Sequence, residues 1–224
     1  MNAPVVTIDG PSGSGKGTVS RLIASRTGWH LLDSGALYRL VGLSGSLQGL
    51  NVDDVAGHTG IADRMQVRFG TGREESIELD GRDVTAEIRT ETAGAGASRV
   101  AAWPSVRAAL LERQRAFRRP PGLVADGRDM GSVIFRDAAL KVFLTASAEE
   151  RALRRYNQLK EKDSGVSLAA LSLEIAERDR RDSTRSVAPL VAAADAIVLD
   201  STAMTVIEVV DEVLTFGRSR SLWP

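Results

Sequence analysis

Short apolar runs, separated by polar stretches of helical length, are the main pattern along the chain. Each run is nearly continuous in hydrophobic residues, which is typical of strands buried on both faces of a parallel sheet. The runs lie at Val5 to Ile8, His30 to Leu32, Leu123 to Ala125, Leu140 to Leu144 and Ala196 to Leu199. Since the intervals are long enough for helical crossovers, the pattern predicts an α/β fold with a five-stranded parallel sheet.

Helical periodicity fills most of the intervals between the runs. It predicts helices over Thr18 to Ser25, Ala36 to Leu43, Glu91 to Val100, Ser105 to Phe117, Ala148 to Lys162, Leu168 to Arg181 and Met204 to Phe216. Helices on both faces of the sheet would give a three-layer α/β/α arrangement. We expect residues Arg218 to Pro224 to form a short tail with no evident function.

One stretch breaks this rhythm with alternating apolar and polar residues. Gln66 to Phe69 and Ser76 to Leu79 alternate, a Gly/Glu-rich turn separates them, and Asp80-Gly81 follows. Alternation with glycine turns predicts a small antiparallel hairpin, and Asp-Gly is a common two-residue hairpin turn. We therefore expect an inserted lobe over residues 45–88.

Length and composition indicate an ordinary globular protein. With 224 residues, 43% hydrophobic and 26% charged, the chain suits one domain with insertions. A formal net charge of +0 gives no global attraction to nucleic acid or to an acidic membrane surface. The absence of cysteine and the isolation of His30 and His58 argue against a zinc site. Without a signal peptide pattern or a membrane-length apolar run, we expect a cytoplasmic monomer with small-molecule partners, and no nucleic acid or membrane partner.

The first apolar run leads directly into a glycine-rich loop, which a predicted helix follows. The loop residues are Gly10, Pro11, Ser12, Gly13, Ser14, Gly15, Lys16, Gly17 and Thr18. A strand, this spacing and a helix are the context of a phosphate-binding P-loop. Backbone N–H groups can surround an anion, the helix presents its positive end, and Lys16 can reach the outer phosphates. The alternative is a Gly/Ser-rich turn that binds nothing.

The loop departs from the general P-loop pattern at one place. The form G-x-x-x-x-G-K-[ST] places a hydroxyl directly after the lysine, where it meets Mg²⁺. This chain has Gly17 at that place and the hydroxyl of Thr18 one residue later. The loop predicts a bound nucleoside triphosphate with Mg²⁺ held through phosphates and water, and the sequence leaves open whether Thr18 binds the metal directly.

Aspartates mark the ends of the predicted strands, where ligands bind in open α/β sheets. Asp-Gly-Arg-Asp occurs twice, at residues 80–83 and at residues 126–129. The first copy follows an alternating strand and is interpreted as a hairpin turn. The second follows a buried run, so we expect Asp126 to Asp129 to lie at the ligand edge of the sheet.

Arginines crowd two predicted helices and the polar stretch Lys160 to Ser167 lies between them. The arginines are Arg151, Arg154, Arg155, Arg178, Arg180, Arg181 and Arg185. Guanidinium groups suit phosphate oxygens, which predicts a mobile anion-binding lid that could close over a triphosphate. Arg154 is the residue of this group that we expect to contact the bound ATP. On one helix, Arg178, Asp182 and Arg185 would share a face. Glu–Arg pairs at i, i+4 give the alternative of an ordinary solvated helix.

A resemblance covers most of the chain and joins these features. The chain resembles the bacterial cytidylate kinases of the nucleoside monophosphate kinase family. The matching stretches are TIDGPSGSGKGT, WHLLDSGALYR, EIRTE, ASRVAAWPSVR, LVADGRDMG, LTASAEERALRR, ERDRRDSTR, APL and DAIVLDST. Kinases of this family use the Gly-Thr ending of the loop. The resemblance implies a core at residues 1–44, 89–150 and 171–224, a nucleotide-binding insert at 45–88 and a lid at 151–170.

The resemblance also implies which side chains bind CMP. Those for cytosine are Ser34, Arg107 and Asp129; those for the ribose are Ser98, Arg178 and Asp182; those for the phosphate are Arg39, Arg128 and Arg185. Other interpretations stay open, because Asp33-Ser34 also suits a helix N-cap and Arg107 also suits a helix surface. Cytosine needs an acceptor beside donors, a demand that an aspartate, a serine and an arginine meet.

These observations predict transfer of the γ-phosphoryl group of ATP to CMP or dCMP. Lys16, Arg128, Arg185 and Arg39 would carry catalysis by neutralising charge, since an ionised phosphate needs no general base. One alternative is a P-loop kinase for UMP, AMP or a shikimate-like acceptor. Another is a P-loop regulatory module that binds nucleotide and changes partners.

Overall fold

The parallel sheet that the apolar runs predict is present. The computed structural model describes residues 3–70, 76–160 and 167–223. The strands in these ranges are β1 (Val5–Asp9), β2 (His30–Asp33), β3 (Val67–Phe69), β4 (Ile77–Leu79), β5 (Arg82–Asp83), β6 (Leu123–Gly127), β7 (Leu140–Thr145) and β8 (Ile197–Asp200). Five of them form one sheet in the order β2-β6-β1-β7-β8, and every pair in it is parallel. The predicted fold class is confirmed.

The predicted helices are also present, with one more that the sequence analysis missed. They are α1 (Lys16–Thr27), α2 (Ser34–Leu47), α3 (Val55–Arg64), α4 (Glu91–Val100), α5 (Pro104–Arg115), α6 (Ala148–Lys160), α7 (Leu168–Ser183) and α8 (Val206–Ser219). The missed helix is α3. A 3₁₀ turn at Glu87–Arg89 and a π-helical turn at Met130–Ile134 complete the helical structure of the described ranges.

The chain divides into two compact units. The first consists of Met1–Asp33 and Arg115–Pro224 and contains the parallel sheet; the second consists of Ser34–Gln114. The lobe predicted over residues 45–88 lies within the second unit.

The core of the first unit lies between the sheet and helices α1 and α8. Val6, Ile8 and Val142 on the central strands are at most 1% exposed, and they pack in one cluster with Ile23 of α1 and Val210 of α8. Register places Ile8 of β1 beside Asp126 of β6 and Asp9 beside Gly127. Both acids therefore lie at the carboxyl edge of adjacent central strands, where parallel sheets bind ligands.

The second unit contains a small antiparallel sheet. The structure has three strands in the order β3-β4-β5 where the sequence predicted a hairpin. Asp80 and Gly81 have φ values of 51° and 83° and connect the paired residues Leu79 and Arg82. Positive φ at both central residues is the type I′ geometry that Asp-Gly favours, so the first Asp-Gly-Arg-Asp copy is a hairpin turn as predicted.

Helices α2 and α4 of the second unit pack at a glycine contact. A Cβ placed on Gly42 would lie 3.2 Å from the carbonyl carbon of Gly96. Backbone thus meets backbone with no side chain between, which brings the two helices close. Leu37, Leu40 and Val41 of α2 are fully buried.

The last residues of the chain pack on the first unit, whereas the sequence predicted a tail of no evident function. The ring of Trp223 meets that of Trp29 edge to face, with centroids 5.2 Å apart, and its Nε1 donates to the carbonyl of Leu214 at 3.0 Å. A Cβ on Gly217 would lie 1.8 Å from the Trp223 ring, so only glycine lets the chain fold back here.

We expect Trp223→Ala to lower the free energy of unfolding by about 2 kcal/mol, because it removes a half-buried indole and its hydrogen bond. Urea unfolding followed by far-UV circular dichroism measures the change. Arg218→Ala, at an exposed position of α8, is the matched control and should change the free energy of unfolding by less than about 0.5 kcal/mol. Equal stabilities of the Trp223 variant and the parent would contradict a packing role for the chain end.

Candidate active site

The glycine-rich loop joins β1 to α1 with the backbone that a phosphate loop requires. Gly13 and Gly15 have φ values of 77° and 88°, and Gly15 caps α1 in the left-handed region. A Cβ on Gly10 would lie 2.0 Å from the carbonyl oxygen of Leu144. The backbone at Gly10 therefore lies too close to β7 for any side chain at the first position of the loop. This contact fixes where the loop begins.

Cationic side chains hold several carbonyl oxygens of the loop. Lys16 Nζ donates to Pro11 at 2.9 Å, Arg151 Nη1 donates to Ser12 at 2.9 Å, and Arg154 Nη1 approaches Ser14 at 3.5 Å. A loop whose carbonyl oxygens are held in this way can direct its N–H groups toward an anion. The buried Oγ of Ser14 makes no hydrogen bond to any part of the chain that the structure describes, and an anion would satisfy it.

The contact between Gly17 and Asp126 explains the departure from the general P-loop pattern. A Cβ on Gly17 would lie 3.2 Å from Oδ2 of Asp126. A serine or threonine at this position would press against that carboxylate, so the site accommodates only glycine without a shift. The hydroxyl of the motif then falls on Thr18, which is exposed.

Lys16 is buried among charges of both signs. The pKa of its ammonium is lowered to about 7, chiefly by burial and then by the nearby guanidinium of Arg128, while Asp126 opposes the shift. Arg178 also lowers the pKa of Lys16 and Asp182 raises it, both more weakly. An incoming anion would restore the charged form, so the lysine is suited to bind phosphate.

The predicted acceptor residues of the first unit form a charged cluster. Arg128 Nε donates to Oδ2 of Asp182 at 2.9 Å, and the Asp182 side chain is 5% exposed. Burial alone would raise the pKa of Asp182, but the guanidinium groups around it outweigh burial and the pKa is lowered. The structure thus brings together Lys16, Arg128, Arg178, Asp182 and Arg185, as the sequence predicted.

The helical face predicted for Arg178, Asp182 and Arg185 is only partly observed. Arg178 and Asp182 lie on α7, but the helix ends at Ser183 and Arg185 lies beyond it. Arg185 instead donates from Nε to the carbonyl of Asp182 at 3.3 Å, and Leu190 N donates to the same carbonyl at 2.8 Å. The end of the helix is thereby folded so that Arg185 still joins the cluster.

The arginines of α6 make ion pairs and hydrogen bonds within the first unit, and the mobility predicted for the lid stays a prediction. Arg151 pairs with Asp179 of α7 at 2.6 Å and also donates to the carbonyl of Ala146 at 3.1 Å. Arg154 donates to Glu150 at 2.8 Å and to the carbonyl of Ser201 at 2.6 Å. Both side chains brace α6 where it meets the loop. Residues 161–166 of the predicted lid lie outside the described residues.

Asp129 lies two residues after the end of β6, in a loop whose next two amides donate to Asp9. Asp129 is 3% exposed, and its carbonyl oxygen accepts from the N–H groups of Val133 and Ile134. The buried carboxylate of Asp9 accepts from the N–H groups of Met130 and Gly131, each at 2.8 Å. Asp9 and Asp126 are two of the strand-end aspartates that the sequence predicts near a ligand, without a specific role for either.

The remaining predicted residues lie in the second unit. Ser34 begins α2 and is 4% exposed, and Ser98 on α4 is 5% exposed. The Oγ of Ser98 and the Nε of Arg39 make no hydrogen bond within residues 3–70, 76–160 and 167–223. Buried polar atoms of this kind suit a bound polar ligand.

Arg107 is buried, whereas helical periodicity alone favoured a surface position. It is 7% exposed and its guanidinium lies 5.9 Å from the centre of the Tyr38 ring. The aromatic face offsets part of the cost of burying the charge. Tyr38 is a site neighbour that the sequence analysis missed, and its place one residue before Arg39 was the available signal.

Neither a metal cluster nor a membrane span is found in the described ranges. There, no group of three or more His, Cys, Asp or Glu side chains is arranged to hold a metal ion. No helix of those ranges has the length and hydropathy that crossing a bilayer requires.

Comparison with known proteins places the chain in a family. Residues 6–219 match the family model described as cytidylate kinase. The cytidylate kinase of Stutzerimonas stutzeri is 56% identical over 222 residues, covering 98% of this chain and 97% of its own, and that of Pseudomonas putida (strain W619) is 58% identical over 223 residues, covering 98% of both. The crystal structure of TT1252 from Thermus thermophilus covers 98% of both chains with a TM-score of 0.48 and 20% identity. From the family model and these sequence relatives it follows that the chain belongs to the cytidylate kinase family.

Proposed function

We propose that the chain transfers the γ-phosphoryl group of ATP to CMP or dCMP, giving ADP and the corresponding diphosphate. The observation that carries this proposal is the buried Lys16 in the glycine-rich loop, with Arg128 and Arg178 near enough to depress its pKa. Phosphoryl transfer needs positioning and charge neutralisation more than covalent chemistry. A loop that can bind phosphate, surrounded by guanidinium groups, meets that need.

The donor nucleotide would bind at the loop between β1 and α1. Backbone N–H groups of Gly13 to Thr18 and the ammonium of Lys16 would hold the β and γ phosphates. Binding would draw Lys16 Nζ from the Pro11 carbonyl, its partner at 2.9 Å, to the stronger acceptor. Arg154 would contact ATP only by exchanging part of its bonds to Glu150 and Ser201.

Mg²⁺ would accompany ATP. The ion prefers oxygen ligands and keeps several waters, so it needs few protein groups beside the phosphates. The exposed hydroxyl of Thr18 and the carboxylate of Asp126 beside Gly17 are oxygen donors that fit it, directly or through water. When bound, the ion supplies neutralisation of charge on the β and γ phosphates.

The acceptor phosphate would be held by guanidinium groups. A phosphate monoester is largely dianionic near neutral pH because its second pKa is about 6, so its oxygen attacks without a general base. Arg128 and Arg185 are anchored to Asp182, by a carboxylate bond at 2.9 Å and a carbonyl bond at 3.3 Å. Their orientation is thus set before substrate binds, as electrostatic catalysis requires. Arg178 and Asp182 would contact the ribose.

Base selection would depend on hydrogen-bond polarity. Buried Asp129 would accept from the amino group of cytosine, whereas uracil presents an acceptor there and leaves two acceptors facing each other. Four residues of the second unit complete the proposed set. They are Ser34 and Arg107 for the base, Ser98 for the ribose and Arg39 for the phosphate.

An acceptor screen tests the proposed function. ADP release would be followed by a coupled assay with CMP, dCMP, UMP, AMP and shikimate as acceptors. We expect CMP and dCMP to give the highest kcat/KM. Faster transfer to AMP or shikimate would contradict the proposal, and so would ATP turnover that only a protein or nucleic acid stimulates. The expectations of a monomer and of a cytoplasmic location stay predictions.

The depressed pKa of Lys16 predicts proton uptake on ATP binding. With a pKa of about 7 in the free protein, much of Lys16 is neutral at pH 8. A bound triphosphate stabilises the ammonium and raises its pKa, so each ATP should bring roughly one proton at most. Affinity for ATP should accordingly weaken as pH rises from 7 to 9. Titration calorimetry at pH 8 in buffers of different ionisation enthalpy measures the protons.

Lys16→Arg is the control for this linkage. Arginine stays protonated in proteins, so the variant keeps the charge and has no proton to gain at this position. We expect the observed enthalpy of ATP binding to this variant to be the same in all buffers once the heat of dilution is subtracted. Equal proton uptake in parent and variant would assign the proton to another group.

A further inference from the structure

Asp9 makes a contact that has no part in the proposed function. It ends β1, directly before the first glycine of the phosphate loop, and is 6% exposed. Oδ1 accepts from the N–H of Met130 and Oδ2 accepts from the N–H of Gly131, both at 2.8 Å. The two amides directly follow Asp129 in sequence. One carboxylate therefore joins the start of the phosphate loop to the loop that carries Arg128 and Asp129.

The geometry of this contact fixes direction as well as distance. Two oxygens on two consecutive amides hold the peptide planes in one orientation, as a single bond would not. These amides open the π-helical turn at Met130–Ile134, where the first N–H groups have no partner within the turn. Val133 and Ile134 donate back to the carbonyl of Asp129. The backbone of Asp129 is thus held on its carboxyl side by Asp9 and by the turn.

The contact of Asp9 with the amides of Met130 and Gly131, here called the brace, is tightly packed at both ends. Gly10 follows Asp9 so close to β7 that a Cβ there would lie 2.0 Å from the Leu144 carbonyl oxygen. A Cβ on Gly131 would lie 2.7 Å from Oγ1 of Thr7 on β1. The loop after Asp129 therefore rests flat on the strand that leads into the phosphate loop. The start of the phosphate loop is held against β7 at Gly10, so Asp9 positions the Asp129 loop relative to a fixed point.

A carboxylate is an electrostatically unfavourable choice at this position. The pKa of Asp9 is raised to about 7, chiefly by burial; the amides of Gly131 and Met130 oppose the rise, and the charges of Asp129 and Asp126 contribute to it. A neutral acceptor would bind one amide without this penalty. Only a carboxylate presents two equivalent acceptors in one plane. Strongly perturbed carboxyl groups of this kind cluster at functional sites.

We propose that Asp9 is a positioning residue for acceptor specificity, which sets the direction of the Asp129 side chain relative to the phosphate loop. This inference rests on the proposed function, in which Asp129 selects cytosine. Asp9 acts through the backbone of Met130 and Gly131 and touches neither nucleotide. Its effect should therefore appear in the choice of acceptor base and leave the binding of ATP nearly unchanged.

Asp9→Asn tests the proposal with almost no change of shape. The amide oxygen still accepts from one N–H, but the NH₂ group faces the other N–H and cannot accept from it. At pH 8 we expect kcat/KM for CMP to fall about tenfold and that for UMP to fall less, while KM for ATP changes less than about twofold. Amide hydrogen exchange at Met130 and Gly131 should accelerate. Asp211→Asn, on an exposed carboxylate, is the matched control.

A double-mutant cycle with Asp129→Ala separates positioning from a general loss of stability. If Asp9 acts through Asp129, the double variant should have the same CMP-to-UMP ratio of kcat/KM as Asp129→Ala alone. An unchanged CMP-to-UMP ratio of kcat/KM in Asp9→Asn would overturn the proposal even where Asp129→Ala lowers the ratio and the proposed function stands. Additive effects of the two changes would overturn it as well. Should Asp9→Asn not fold, Asp9→Ser keeps one neutral acceptor and is measured in its place.

Discussion

Lys16→Met is expected to lower kcat about a thousandfold with the fold intact, the size of effect seen when an enzyme loses a preorganised charge. Lys16 supplies the only lysine charge of the loop, and its burial means that water does not screen it. Methionine has a similar length and no charge to bury. The thermal midpoint should therefore stay the same or rise, because the folded protein no longer has to hold a desolvated ammonium.

Steady-state kinetics with ATP and CMP, together with circular dichroism, measure this expectation. Arg218→Met removes a cation from an exposed position at the end of α8 and is the matched control. It should keep kcat within about twofold of the parent. Turnover of the Lys16 variant close to that of the control would remove the glycine-rich loop from the mechanism.

Asp129→Ala is expected to lower the ratio of kcat/KM for CMP over UMP by about tenfold or more, the range for one hydrogen bond to a charged group. The variant loses the acceptor for the cytosine amino group and also loses the repulsion that excludes the uracil carbonyl. Activity with CMP should fall and activity with UMP should stay or rise. Affinity for ATP should change little, because Lys16 and the loop amides are untouched.

Initial rates over a range of CMP and UMP concentrations give the two values of kcat/KM. Asp137→Ala removes a carboxylate whose side chain is 63% exposed, so it controls for the change in net charge. An unchanged ratio of kcat/KM for CMP over UMP in the Asp129 variant would show that this residue does not select the base. Such a result would leave the glycine-rich loop as an ATP site and move base selection elsewhere.

The parallel sheet could be predicted from the sequence because its signal is local. Runs such as Val5 to Ile8 are apolar throughout, and each central strand is buried on both faces. The ends of the strands were placed within one or two residues. The start of α8 was also readable, since Thr205 and Glu208 form a capping box at Val206.

Helix α3 could not be predicted with the same rule because its apolar signal is weak. It contains Gly57 and Gly60, which lower helix propensity, and its only large buried aliphatic residue is Ile61. Its start depends on Asp54, whose carboxylate accepts from Gly57 N at 2.9 Å. The sequence contains this Asx cap, but no periodic run of apolar residues follows it. The cap alone therefore did not indicate a helix.

Long-range contacts explain the parts of the candidate site that the sequence did not disclose. The brace from Asp9 to Met130 joins residues 121 positions apart, and no local pattern reports such a pairing. Arg151 likewise looked like a member of a mobile group, and its partner Asp179 lies on another helix. Residue types and motif spacing indicated which chemistry to expect. Tertiary contacts determine which of these side chains hold other parts of the site in place.

The tryptophans give each unit of the protein its own spectroscopic signal. The rings of Trp29 and Trp223 meet edge to face within the first unit, with centroids 5.2 Å apart, and those of Trp103 and His58 do so in the second, with centroids 5.3 Å apart. The chain has three tryptophans in all. A Trp103→Phe variant would therefore emit only from the unit that carries the phosphate loop, and a Trp29→Phe/Trp223→Phe variant only from the other. Nucleotide-induced changes in fluorescence can in this way be followed in each unit separately, without an attached dye.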